Sequence, residues 1–90
     1  MSVMFEVFYK PPSDPKRESK IFDSLVRHGG RLSYREEPQA VGSGPICLTF
    51  EFDDFDRAQE AAAQLRSLGE HVEGPMDYGE QTSPKNGSSR

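Results

Sequence analysis

Imidazole, thiol and clustered carboxylates are the groups in this sequence that could move protons, attack a substrate or hold a metal. There are two histidines and one cysteine. His71 leads the segment His71-Val72-Glu73. If its side chain shares a sheet face with Glu6, Glu51 or Glu73, the group is a minimal acid–base or metal constellation. The spacing does not specify that chemistry, and an exposed polar residue on an edge strand is the favoured reading of His71. His28 falls at the end of a helical stretch, where positive charge complements the helix dipole. Cys47 needs nearby positive charge to become a nucleophile. Arg35 is its expected cross-strand neighbour, and the simpler role is a small apolar filler.

Three further clusters have plain structural explanations. Asp53-Asp54-Phe55-Asp56 lacks the glycine and the distal glutamate of a calcium loop and reads as a helix cap. Gly42-Ser43-Gly44 precedes a strand rather than a helix, so it lacks the helix N-terminus that phosphate-cradling loops use. Lys16, Arg17 and Lys20 lie on a helix with Glu18 among them, which reads as a solvated helix face. One cysteine permits no internal disulfide and no Cys-based zinc site. No catalytic residue is assigned, no cofactor or metal is expected, and enzymatic activity stays open with the balance against it.

Composition narrows the class further. The chain has 90 residues and 10.1 kDa, with 33% hydrophobic and 29% charged residues. Its mean hydropathy is −0.76. Six Phe and three Tyr supply bulky core material in the absence of Trp. Fifteen acidic against 11 basic residues give a net charge of −4. Nucleic-acid binders and anionic-membrane binders carry basic fields, so neither partner is expected. No apolar run approaches the roughly 20 residues of a membrane span, and MSVMFEVFYK lacks a signal-peptide pattern. A small cytoplasmic protein is expected.

The elements that must position these residues are marked by Pro and Gly. Ser2 to Lys10 alternates Val3, Phe5, Val7 and Tyr9 with Met4, Glu6, Phe8 and Lys10, the period of a strand. Pro11-Pro12 stops it, and Asp14-Pro15 opens a helix whose apolar stripe is Ile21, Phe22, Leu25 and Val26. Arg27 and His28 are expected in its last turn, before Gly29-Gly30. Arg31 to Glu37 forms a short edge strand with Leu32 and Tyr34 facing inward. Pro38 to Pro45 is a flexible connection. Ile46 to Asp53 is a strand with Ile46, Leu48, Phe50 and Phe52 on one face and Cys47, Thr49 and Glu51 on the other.

Asp53 or Asp54 then caps a second helix, whose Phe55, Ala58, Ala61, Ala62, Leu65 and Leu68 recur at helical spacing until Gly69. His71 to Glu73 is a short final strand. Residues 80–90, EQTSPKNGSSR, have no large apolar side chain and are expected to be disordered. Residues 1–79 then form a single domain.

Strand, helix, strand, strand, helix, strand in so short a chain packs most economically as a ferredoxin-like α+β sandwich. In it a four-stranded antiparallel sheet, order 4-1-3-2, carries both helices on one face. The two most apolar strands take the centre and the polar ones the edges. Leu32 opposite Phe50 and Tyr34 opposite Leu48 would pair Arg31 with Glu51 and Ser33 with Thr49 outside.

The RNA-recognition module shares this order but stacks bases on aromatic residues of its two central strands. Here the third strand offers Cys47, Thr49 and Glu51 instead. Amino-acid-binding ACT modules share the topology too, but carry a glycine-bearing turn where this chain has Pro11-Pro12. The uncovered sheet face is therefore the informative feature. Met4, Phe8 and Cys47 stand at its centre, and Tyr78 is expected to join this surface or, together with Met76, to fold back over it. The expected function is a small interaction or regulatory module that self-associates through its open sheet face or a sheet edge, with a second copy or another protein as the partner. The alternative is a small dimeric α+β-barrel-type enzyme, or a ligand-binding domain with its pocket on that face, drawing on the polar residues His71, Glu51 and Glu6.

Overall fold

Period-two alternation produces strands where it was predicted. Strands β1 (Val3–Tyr9), β2 (Arg31–Glu36), β3 (Ile46–Phe52) and β4 (His71–Asp77) are interleaved with helices α1 (Pro15–Val26) and α2 (Phe55–Ser67) in the order βαββαβ. The computed structural model describes residues 2–40 and 42–77. Tyr78 and the segment 80–90 lie outside the described residues. All strand pairs are antiparallel, in the order β2-β3-β1-β4. This is the expected ferredoxin-like order seen from the opposite edge.

β1 and β3 alternate buried and half-buried residues without a break. Their register sets Val3, Phe5, Val7 and Tyr9 against Phe52, Phe50, Leu48 and Ile46 on the inner face. Phe5 and Phe50 meet edge-on with centroids 5.9 Å apart, and Phe22 of α1 meets Phe50 at 5.7 Å. Ile21 and Leu25 from α1, with Ala58, Ala61, Ala62 and Leu65 from α2, close a core of fifteen buried residues. The small alanines let α2 approach the sheet closely. Gly30 is required by the same packing, because a Cβ there would stand 2.5 Å from the Phe52 ring.

The caps depart from expectation in detail. Asp14 accepts a hydrogen bond from the Arg17 amide at 3.1 Å, and Pro15 follows at the first helical position. α1 ends at Val26, so Arg27 and His28 stand beyond its last turn. His28 still serves the helix end, its Nδ1 donating to the Ser24 carbonyl at 3.0 Å. Asp54 is the N-cap of α2, but its carboxylate makes no capping hydrogen bond. Asp53 instead pairs with Arg31 at 3.1 Å.

Ser24 is an anomaly in this core. The residue is 3% exposed and its Oγ has no hydrogen-bond partner among the described residues. An unpaired buried hydroxyl costs stability, and alanine is the better helix former. Ser24→Ala is expected to stabilise the domain by about 1 kcal/mol, raising Tm by about 4–8 °C in thermal unfolding.

The main departure is in β2. Arg31 and Leu32 stand opposite Glu51 and Phe50, as expected, and the Arg31–Glu51 ion pair forms at 3.5 Å. A bulge follows between Leu32 and Tyr34, after which Tyr34 faces Thr49, Arg35 faces Leu48 and Glu36 faces Cys47. One extra residue inverts the parity of everything beyond it. Tyr34 therefore leaves the core and is 60% exposed, and the expected Tyr34–Leu48 and Ser33–Thr49 pairs are not made. Leu32, Val26 and Leu68 are also exposed rather than core residues. Tyr34→Lys is expected to change unfolding free energy by no more than about 0.5 kcal/mol, as befits a surface position. With Tyr34 in the core, the same change would cost several times that.

β4 departs too. It does not end before Gly74-Pro75 but runs on to Asp77, with an irregularity opposite the Met4–Glu6 stretch. Gly74 takes φ +108°, a conformation favouring glycine, with the Phe5 Cβ close by. Met76 then stands opposite Met4 as part of the strand, so it widens the open face and does not fold back over it.

Candidate functional site

Antiparallel register and two irregularities build the open face. Residues outside the core alternation fall into three rows across β2, β3, β1 and β4. The first row is Arg31, Glu51, Met4 and Met76. The central row is Tyr34, Thr49, Glu6 and Glu73, and the last is Glu36, Cys47, Phe8 and His71. Both helices pack against the other side, through the core described above.

The parity inversion in β2 has a visible partner beneath the sheet. Glu18 of α1 is 8% exposed, and a buried carboxylate needs compensation. Arg35 turns inward and supplies it, with Nε to Oε1 at 3.1 Å and Nη2 to Oε2 at 2.8 Å. The same guanidinium reaches Ser13 Oγ at 3.0 Å and Glu37 at 2.6 Å. The Tyr9 hydroxyl donates to Glu18 and accepts from the Asp14 amide at 3.0 Å. The Arg35 hydrogen bonds hold the Glu18 carboxyl below the usual carboxylate range, against the opposing effect of burial. Burial and the hydrogen bond to Glu18 push the Tyr9 phenol up. This network fixes the start of α1 to β1 and β2, and by taking Arg35 inside it leaves Tyr34 outside.

The basic residues of α1 are likewise not simply a solvated face. Arg17 makes a bidentate pair with Glu70, its Nη2 lying 2.8 Å and its Nε 3.1 Å from the carboxylate. Its guanidinium also lies 4.9 Å from the centroid of the Tyr9 ring.

Of the polar residues singled out in the sequence, His71 and Glu6 reach the open face but are not joined to Glu51. His71 Nε2 contacts Glu73 at 3.1 Å, and its ring lies 5.8 Å from that of Phe8. Glu51 sits two strands away, accepting from Ser2 and paired with Arg31. Among the described residues no group of three or more His, Cys, Asp or Glu gathers in a metal-binding geometry.

Cys47 has Glu36 rather than Arg35 across the strand, and its Sγ donates to Glu6 at 3.8 Å. Burial, with the charges of Glu6 and Glu36, pushes the thiol up despite a hydrogen bond with Thr49. The parity inversion thus replaces the positive neighbour that would activate this cysteine with a negative one.

Met4, Phe8 and Cys47 occupy the expected positions on the face and are each half-buried. Tyr34, Met76 and Glu36 are face residues that the alternation pattern did not identify. The signal for Tyr34 lay outside its own strand, in Glu18, an acidic residue one turn before Ile21 and Phe22 on α1. Two hollows mark the face. One of about 180 Å³ is lined by Met4, Phe5, Glu6, Thr49, Glu73 and Met76. The other, open and about 340 Å³, has Glu6, Phe8, Glu36 and Cys47 in its walls beside the β2–β3 connection. Among the described residues no helix is long and apolar enough to cross a membrane. The chain matches no family model and no curated protein sequence.

Proposed function

We propose that this protein is a small interaction module that binds another protein chain through the open face of its sheet. The observation that carries this reading is a sheet face that no described residue covers, bearing Met4, Phe8, Tyr34 and Met76 among carboxylates, with Tyr34 60% and Met76 59% exposed. Apolar and aromatic side chains grouped on one sheet face and rimmed by polar ones are the composition of a protein interface. Of the two hollows on the face, the one of about 180 Å³ is below the roughly 300–1,000 Å³ of small-molecule pockets, and the one of about 340 Å³ is at the low end of that range and wide open, which favours a docking surface over the ligand-binding alternative. Carboxylates along the face repel a phosphate backbone, which favours protein over nucleic acid.

The test uses the full chain as bait in its native cell, in three forms: wild type, Phe8→Glu, and Gln59→Glu on the exposed surface of α2. A species retained by wild type and Gln59→Glu but lost with Phe8→Glu supports the reading. Equal retention by all three, or loss only with Gln59→Glu, contradicts it.

A further inference from the structure

The charges on the open face say more about the partner than its apolar residues do. Building on the interaction reading above, we propose that the face docks a cationic protein surface, one presenting arginine or lysine side chains between apolar ones, and not a second copy of this chain. Glu6 and Glu73 are direct cross-strand partners in the central row. Like charges so placed repel each other. Among the described residues, Arg31 stands at one end of the face but holds Glu51 and Asp53, Lys10 lies beyond the end of β1, and Arg35 is turned inward with Glu18. Among the described residues, the edge residue His71 alone reaches Glu73.

The hollows have the chemistry such a partner would use. The smaller sets Glu6 and Glu73 beside Met4 and Met76, and the larger sets Glu6 and Glu36 beside Phe8. A lysine or arginine lays its aliphatic stem along apolar surface and extends its charge to a carboxylate, so each hollow matches one such side chain. Glu6 lines both hollows, which makes it the common anchor.

A second copy stacked face to face fits this arrangement poorly. With the two-fold axis along the strands, β2 of one copy lies over β4 of the other, and Glu73 and Glu6 meet only Tyr34 and Thr49. With the axis across the strands, Glu6 meets Glu6. Either arrangement takes the central carboxylates from water with no cation opposite, the costly way to bury charge.

The experiment titrates the ¹⁵N-labelled full chain with acetyl-Trp-Arg-Leu-Arg-Trp-amide and with its counterpart carrying Glu in place of each Arg. Light scattering of the protein alone accompanies it. The arginine peptide is expected to shift the amide resonances of Met4, Glu6, Phe8, Thr49 and Glu73, and the glutamate peptide to leave them in place. Glu6→Gln combined with Glu73→Gln, nearly isosteric and solvent-facing, should weaken the arginine peptide at least about tenfold, as should raised salt.

Equal shifts from both peptides, or shifts confined to the helices or the β2 edge, overturn the proposal. A solution mass twice the 10.1 kDa chain that Phe8→Glu returns to monomer also overturns it, while leaving the interaction face intact. The reading of the face itself fails separately, when neither peptide moves the face and the Phe8→Glu bait retains every partner of the wild type.

Discussion

Replacement of Glu18 by alanine is expected to lower unfolding free energy by about 2–3 kcal/mol, a fall in Tm of about 10–20 °C. Breaking a buried ion pair leaves the surviving partner uncompensated, which in full burial costs about 3–5 kcal/mol. Here Arg35 keeps contacts with Glu37 and Ser13 and its side chain is partly exposed, so the lower range applies. Tyr9 loses the acceptor of its hydroxyl at the same time.

The pH dependence follows with a definite sign. The folded carboxyl of Glu18 titrates below its ordinary value of 4.5, so the unfolded chain binds the proton first as pH falls. The contribution is complete above that ordinary value and is lost as pH falls through the lowered folded one. Denaturant unfolding of the wild type should therefore lose stability below about pH 4.5, while Glu18→Gln should show a flatter profile there from a lower plateau. An unchanged acid limb in Glu18→Gln would show that the Arg35 pair does not act as described.

The second large effect concerns binding. Phe8→Glu is expected to weaken association with the partner at least about 30-fold, the loss typical of an interface anchor worth 2 kcal/mol or more. Phe8 stands on central strand β1 beside the His71 ring, half-buried in the free protein. The loss comes from the apolar area that the substitution removes beneath the partner's side chain; the carboxylate that it adds near Glu6 and Glu36 offsets only part of it against a cationic partner. Because Phe8 lies outside the fifteen-residue core, unfolding free energy should fall by no more than about 1 kcal/mol. Comparing the melting curve with partner binding separates the two: a variant that unfolds has lost its fold, and one that melts normally but does not bind has lost its interface.

The contrast between β1 and β2 shows what a sequence pattern can reveal. In β1 and β3 each alternate position is strongly apolar, so face assignment and register follow from burial alone, and every inner residue is where alternation places it. In β2 the candidates were Leu32 and Tyr34 on one side and Ser33 and Arg35 on the other, a weak contrast at a sheet edge. Compensating the Glu18 carboxylate outweighed burying Tyr34, and that decision involves a residue on α1, invisible to any reading of β2 alone. β4 shows the same limit: Gly74-Pro75 read locally as a stop, yet an edge strand tolerates proline at an irregularity and continues to Asp77. The open face was therefore legible in its centre, Met4, Phe8 and Cys47. It was misread at its margins, where Tyr34 and Met76 extend it.

Binding through the open face is tested most directly by site-specific photo-cross-linking in the native cell, with a photoreactive phenylalanine analogue at Phe8, Tyr34 or Gln59 in turn. One discrete adduct, of the same mass increment, is expected from Phe8 and Tyr34, which share one surface, and none from Gln59 on α2. An adduct from Gln59 with nothing from Phe8 and Tyr34 would place the binding surface on the helices and contradict binding through the sheet.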